Sequence, residues 1–147
     1  MPLCFIGIGS NIDPRKNVTS ALQTLRERFG PLLVSTIRET AAVGFVGAPF
    51  LNLAAGIFTE EPPQRVITIL SDIENAHGRR RDGQRFSART LDLDLLLYGD
   101  LQDTALKIPR PEIAEQAFVL EPLAEIAPHI PYARAGKTFK QLLDGNV

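Results

Sequence analysis

Apolar residues along this chain change their spacing several times, and each change marks an element. Leu3 to Ile8 (LCFIGI) is a short apolar run closed by the turn-forming Gly9-Ser10-Asn11, the pattern of a buried strand. From Asp13 the period lengthens. Val18, Leu22, Leu25 and Phe29 recur at helical spacing, Asp13 suits an N-cap, Pro14 suits the first helical position, and Gly30-Pro31 stops the pattern. Leu32 to Glu39 (LLVSTIRE) is rich in β-formers and predicts a second strand, and Leu51 to Thr59 (LNLAAGIFT) predicts a third after a glycine-rich segment. Pro62-Pro63 opens a second helix with Val66, Leu70 and Ile73 on one face, ending near His77-Gly78. Leu91 to Tyr98 (LDLDLLLY) is the fourth strand. Beyond Gly99, prolines at 109, 111, 122, 128 and 131 leave room for short helical pieces only, and this last third is expected to wrap the sheet.

The order β-α-β-β-α-β predicts an α+β, ferredoxin-like core with both helices on one sheet face and a C-terminal extension of short helices and loops. Residues 1–147 are expected to form a single domain, since no repeat, low-complexity run or linker divides them. A sheet covered on one side leaves its other face free, and edge loops can build a site there, although a fold does not say which site.

Composition narrows the function. The chain has 147 residues, 44% of them hydrophobic, enough for one buried core, and 16 Lys+Arg against 17 Asp+Glu give a net charge of −1. That balance argues against a protein that works as a polycation on nucleic acid or anionic lipid. A lone cysteine, Cys4, excludes an internal disulfide framework and a cysteine-based zinc site. With no secretory leader pattern at the start, a reducing cytoplasm is the expected location. The uncharged stretch Thr40 to Thr59 is long enough to span a bilayer, but Gly44, Gly47, Pro49 and Asn52 interrupt it and no basic cluster flanks it. A loop running into a buried strand is the better reading.

The sharpest chemical feature is Asp92 and Asp94 in Leu91-Asp-Leu-Asp-Leu95. Alternation puts both carboxylates on one face, roughly 6.6 Å apart along the strand, and the leucines on the other. Two carboxylates so close favour a shared divalent cation, and Mg²⁺ accepts one or two protein carboxylates while keeping water and phosphate oxygens. A solvated acidic face on a half-exposed strand remains the simpler alternative. Just upstream, Arg79, Arg80, Arg81, Arg85 and Arg89 crowd into RRRDGQRFSAR. Guanidinium forks suit bidentate phosphate contact, and carboxylates holding metal beside arginines suit phosphoryl transfer. A solvated basic surface or an RNA contact is the alternative. RNA-binding sheets present aromatics on their central strands, however, where this chain presents aspartates that repel phosphate.

Other motifs dissolve on inspection. Gly136-Lys137-Thr138 lacks the first P-loop glycine, because Pro131 stands there, and reads as a turn before the helix Phe139 to Leu143. Gly7-Ile-Gly9-Ser-Asn-Ile12 lacks the third glycine of a dinucleotide fingerprint and reads as close backbone packing. His77 and His129 have no second ligand at metal spacing and read as surface or helix-end residues, while Cys4 reads as core.

Taken together, Gly9-Ser10-Asn11, Phe50-Leu51-Asn52, Glu74 before Gly78-Arg79-x-Arg81, Arg89-Thr90-Leu91-Asp92-Leu93-Asp94, and Glu121-Pro122-Leu123 with Glu125-Ile-Ala-Pro128 form a set. From residue 3 to about 130 the chain resembles the 6-hydroxymethyl-7,8-dihydropterin pyrophosphokinases. That family moves the terminal pyrophosphate of ATP to the hydroxymethyl group of a reduced pterin in folate biosynthesis, releasing AMP. The resemblance implies that Asp92 and Asp94 hold two Mg²⁺ ions bridging the ATP phosphates, and that Arg79, Arg81 and Arg89 bind or neutralise those phosphates. It places Glu74, Leu95 and Arg110 in the nucleotide-contacting set, with Arg79 and Arg89 also catalytic. It implies that Asn52 reads the polar edge of the pterin with backbone groups around Thr40 to Val43, that Phe118 stacks on its ring, and that Phe50 and Phe86 sit beside it. The partners implied are small molecules, ATP and a reduced pterin, with neither nucleic acid nor membrane, and the chain is expected to be a monomer.

The departures cluster near the same positions. Phe86 stands where the family has tryptophan, Arg110 where it has histidine, Gln116 where it has arginine, Phe50 where tyrosine is frequent, and Ala41-Ala42 replaces a proline-rich turn. An arginine at 110 keeps positive charge but loses a neutral acceptor. A paralogue acting on another pterin, or a noncatalytic nucleotide- or pterin-binding protein, is the alternative these departures raise.

Overall fold

A computed structural model of the chain describes residues 1–42, 46–78 and 90–145. Its elements run β1 (Leu3–Ser10), α1 (Pro14–Phe29), β2 (Leu33–Val34), β3 (Arg38–Thr40), β4 (Phe50–Phe58), α2 (Pro63–Ala76) and β5 (Asp92–Tyr98). After these come α3 (Glu112–Glu115), α4 (Ala117–Ile126), β6 (Pro131–Tyr132), β7 (Lys137–Thr138) and α5 (Phe139–Leu143). The class is α+β. One antiparallel sheet has the order β2-β4-β1-β5, with β3 also pairing β4, and a small β6-β7 hairpin stands apart. Among the described residues no helix is long and apolar enough to cross a membrane, and the second half of Thr40–Thr59 runs into β4.

Alternation on the strands separates two cores. Cys4, Ile6 and Ile8 of β1, Leu53, Ala55 and Ile57 of β4, and Leu93 and Leu95 of β5 pack against Val18, Ala21, Leu22 and Leu25 of α1 and Val66, Ile69, Leu70 and Ile73 of α2. The apolar stripes at helical spacing thus meet the apolar half of each strand, which is why both helices lie on one face. The buried Cys4 thiol is pushed up to about 11 by loss of solvent, an effect reduced by a hydrogen bond with the Gly99 backbone.

On the opposite face Phe5, Leu96 and Leu97 pack with Ile113, Leu123, Ala124, Tyr132 and Phe139. The C-terminal third thus wraps the sheet as expected, and it covers the half of this face that carries Phe5. A register shift between Phe5 and Ile6 leaves Leu96 unpaired, so Leu96 and Leu97 both turn toward this second core. The half left open carries Gly7, Gly9, Asp92 and Asp94.

Three local expectations also change. The single strand expected over Leu32–Glu39 is two short ones. At the break, the buried Ser35 hydroxyl accepts the Ala54 N–H (2.9 Å) and donates to the Thr36 carbonyl (3.0 Å). A side chain that takes a backbone partner interrupts the ladder. Asp13 does occupy the N-cap position, but at φ 42° and with no capping bond from its side chain. The Asn17 side-chain amide ties the chain before the helix, donating to the Ile12 carbonyl at 2.7 Å. In the last third, α4 is a ten-residue helix that continues through Pro122, so it is more than the short piece its prolines suggested. Packing of Leu123 and Ala124 in the second core offsets the backbone bond that Pro122 cannot make.

Candidate active site

The site is built on the row of paired residues Asp92, Gly9 and Asn52. Gly9 of the central strand β1 pairs Asp92 of β5 on one side and Asn52 of β4 on the other. Cross-strand partners share a face, so both side chains stand above the same glycine floor, about 9–10 Å apart across two strand spacings. The next row on β1 and β5 pairs Gly7 with Asp94. Strand alternation thus directs both aspartates to the open face and Leu91, Leu93 and Leu95 into the core. Glycine matters most at position 9, where a Cβ would lie 2.9 Å from Asn52 Oδ1, closer than such contacts permit. Gly9 exists to let the Asn52 amide lie over the backbone.

On the β4 side, Asn52 is buried and its Nδ2 donates to Thr40 Oγ1. Thr40 pairs Phe50 in the β3–β4 ladder, so Thr40, Phe50 and Asn52 form one patch. Phe118 begins α4, half-buried, and α4 packs across β4 and β3. A separate tie holds this edge. Thr36 donates to Glu125 Oε2 from its backbone N–H (2.8 Å) and its hydroxyl (2.9 Å), and Arg38 pairs Glu125 at 2.8 Å. The Thr36 N–H holds the Glu125 carboxyl below the usual carboxylate range, against the opposing effect of burial, with the Thr36 hydroxyl and Arg38 adding to the lowering.

On the β5 side a cleft of about 190 Å³ opens between α2 and the outer edge of β5, lined by Ile67, Leu70, Ser71, Glu74, residues 92–95 and Arg110. The free edge of β5 is covered. Glu74, 4% exposed, accepts the Leu93 N–H at 2.7 Å, and Arg110 donates from Nε to the Leu95 carbonyl (3.2 Å) and from its backbone N–H to the Leu96 carbonyl (3.1 Å). Leu95 reaches the cleft only through its backbone, since its side chain is in the first core. The Arg110 guanidinium lies 3.7 Å from Asp94 Oδ1, and the Asp94 side chain is 47% exposed. An ion pair so open is worth about 1 kcal/mol or less.

Of the residues expected in the site, Asp92, Asp94, Glu74, Leu95 and Arg110 gather along β5, and Thr40, Phe50 and Asn52 gather along β4. Val43, Arg79, Arg81, Phe86 and Arg89 lie outside the described residues. Two residues had no role read from sequence. The buried Ser10 hydroxyl donates to the Thr90 carbonyl at 2.5 Å, fixing the entry to β5, and Asn11 Nδ2 donates to the Ala48 carbonyl at 3.0 Å, fixing the entry to β4. In sequence they stood out only as part of the Gly9-Ser10-Asn11 turn in the family-like set, with no individual role.

The donor set suits a hard cation shared with phosphate. Asp92 and Asp94 are two half-exposed carboxylates on one face, and no cluster of three or more His, Cys, Asp or Glu with metal-holding geometry occurs among the described residues. Two carboxylates fit an ion that takes its remaining ligands from water and phosphate, and do not fit an all-protein cage.

Residues 5–128 match the family described as 7,8-dihydro-6-hydroxymethylpterin-pyrophosphokinase. A 2-amino-4-hydroxy-6-hydroxymethyldihydropteridine pyrophosphokinase of Porphyromonas gingivalis is 35% identical over 136 residues, covering 87% of this chain and 92% of that protein. The protein of the same name in Bacillus subtilis is 36% identical over 134 residues, 87% of this chain and 80% of its own length. A mitochondrial folate synthesis bifunctional protein of Arabidopsis thaliana is 37% identical over 126 residues, 82% of this chain and 23% of that longer protein.

Proposed function

Since this chain belongs to the 7,8-dihydro-6-hydroxymethylpterin-pyrophosphokinase family, an ATP-dependent diphosphotransferase acting on hydroxymethyldihydropterin in folate biosynthesis, we propose a division of labour across its sheet. The β5 side takes the nucleotide and the β4 side takes the pterin. The observation that carries this reading is the row Asp92, Gly9, Asn52. It sets the Asp92 carboxylate and the buried Asn52 amide on one face, about 9–10 Å apart, with no side chain on Gly9 between them.

Asp92 and Asp94 would hold Mg²⁺, two ions in all, which when bound would supply positive charge against the phosphates during pyrophosphate transfer. Arg110 supports the phosphates from the outer edge of β5, together with Arg79, Arg81 and Arg89 from the segment before it. Leu95 offers backbone groups to the nucleotide and Glu74 holds the strand that carries the aspartates. Asn52, oriented by Thr40, fixes the polar edge of the pterin, with Val43 adding backbone contact and Phe50, Phe86 and Phe118 flanking the ring. The pterin hydroxyl oxygen then forms a bond to the β-phosphorus as the bond from that phosphorus to the α,β-bridging oxygen breaks, and AMP leaves. Holding the two reactants in line supplies most of the rate, so no covalent nucleophile is required.

The sheet order, with β1 and β4 central and β2/β3 and β5 at the edges, supports reading the core as ferredoxin-like, and residues 1–147 as one domain. The experiment is incubation with Mg-ATP and 6-hydroxymethyl-7,8-dihydropterin. Pterin-dependent release of AMP is expected. Release of ADP, or no pterin-dependent product, overturns the assignment.

A further inference from the structure

Arg110 approaches Asp94 from a segment that two side chains outside the family-matched stretch hold in place. Tyr132, at the end of β6 and 1% exposed, packs its ring against Phe139 with centroids 5.8 Å apart. Its hydroxyl donates to the Arg110 carbonyl at 2.8 Å. Two residues on, in the turn that joins β6 to β7, Arg134 Nε donates to the Pro109 carbonyl at 2.6 Å. The turn is itself closed by the Ala135 and Gly136 N–H groups on the Tyr132 carbonyl, at 3.0 and 2.9 Å. Consecutive carbonyls at 109 and 110 are therefore fixed by one hairpin. The Arg110 N–H, meanwhile, is fixed by the Leu96 carbonyl at 3.1 Å on β5.

We propose that Tyr132 and Arg134 are positioning residues that set where the Arg110 guanidinium meets the nucleotide phosphates. The need for them follows from the reach of the Arg110 side chain. Its Nε bond to the Leu95 carbonyl (3.2 Å) and its 3.7 Å approach to the half-exposed Asp94 are both made on β5, and both are kept only while the backbone at 110 holds its place beside that strand. Burial raises the Tyr132 hydroxyl above its ordinary range, an effect that Arg134 reduces and Glu112 and Glu115 enlarge, so it stays a donor at neutral pH. The hairpin thus makes a segment beyond residue 128 part of the nucleotide site without touching the nucleotide.

This inference rests on the reading of Arg110 as a nucleotide contact, and a double-mutant cycle separates the two. R110A, Y132F, R134Q and the doubles R110A/Y132F and R110A/R134Q are assayed for ATP KM, pterin KM, kcat and Tm. Y132F keeps the ring packing and deletes the hydroxyl, while R134Q alters an exposed residue and so keeps the fold. Y132F and R134Q are each expected to raise ATP KM about 3- to 10-fold, the effect of one lost buried or charge-assisted hydrogen bond, with pterin KM changed less than about twofold. In the R110A background both are expected to change ATP KM by less than about twofold. If R110A raises ATP KM but Y132F and R134Q do not, or lower Tm alone, the positioning role is wrong while Arg110 keeps its own. If their effects are as large without Arg110 as with it, they act independently and the inference again falls. An unchanged ATP KM in R110A itself overturns the reading of Arg110 and this inference with it.

Discussion

Replacing Gly9 with alanine tests the floor of the site in one atom. The added Cβ lies 2.9 Å from Asn52 Oδ1, a separation that real Cβ contacts essentially never show, so the amide must move. Gly9 is not among the glycines with positive φ, so alanine meets no backbone strain there, and the cost falls on the Asn52 side chain. Displacing it loosens the Asn52–Thr40 hydrogen bond and misaims the group proposed to read the pterin. A buried polar contact of this kind is worth about 1–2 kcal/mol, which predicts a rise in pterin KM of about 5- to 30-fold. ATP KM is expected to stay within about twofold, and Tm nearly unchanged, since Gly→Ala also reduces the entropy of the unfolded chain. The internal control is G7A. The nearest atoms to a Cβ at Gly7 are on the Leu96 side chain, at 3.5 Å, an ordinary contact, so its pterin KM should match wild type. Steady-state AMP release at varied pterin, with ATP saturating, measures both. A G9A enzyme with wild-type pterin KM refutes the crowding argument, and equal losses in G7A and G9A show that something other than Asn52 is responsible.

Three further outcomes are expected. D92N and D94N keep their place on β5 and should leave Tm within a few degrees while lowering AMP release about 100-fold or more; a variant near wild-type activity removes the metal role. Cys4 titrates at 9.0 in an unfolded chain and about 11 when folded, so its contribution is fully present below pH 9.0 and lost as pH rises toward 11. The loss amounts to about 3 kcal/mol, and C4A should show a shallower alkaline fall in denaturant midpoint; parallel curves for the two proteins contradict this. Glu125 has its pKa lowered by Thr36 and Arg38, so it stabilises the fold above the ordinary carboxylate range and that stability is lost as pH falls below it. E125Q should therefore have a lower denaturant midpoint than wild type at pH 7 and a gap that narrows in acid, and a gap constant with pH contradicts the linkage.

Periodicity was enough to read the main elements because the core is strictly faced. Every second residue of Leu91–Leu95 and the stripes Val18-Leu22-Leu25 and Val66-Leu70-Ile73 enter one apolar layer. Asp92 and Asp94 were legible for the same reason, since alternation alone assigns them a face. What stayed hidden depends on partners distant in sequence. Ser35 breaks a strand because Ala54 lies opposite. α4 survives Pro122 because Leu123 and Ala124 beside it are packed into the second core. Tyr132 and Arg134 matter through carbonyls of residues 109 and 110, more than twenty positions away, and backbone acceptors carry no sequence signal.

β1 carries two interleaved texts. Its even positions, Cys4, Ile6 and Ile8, fill the core, and its odd positions, Gly7 and Gly9, floor the face proposed to take the substrates. Because the strand is paired on both sides, an insertion or deletion of one residue between Leu3 and Ser10 exchanges the two texts. Isoleucine would then rise into the reaction space and glycine would hollow the core. Folding and catalysis in this protein therefore share a single reading frame, and a slip in that frame is a lesion to both at once.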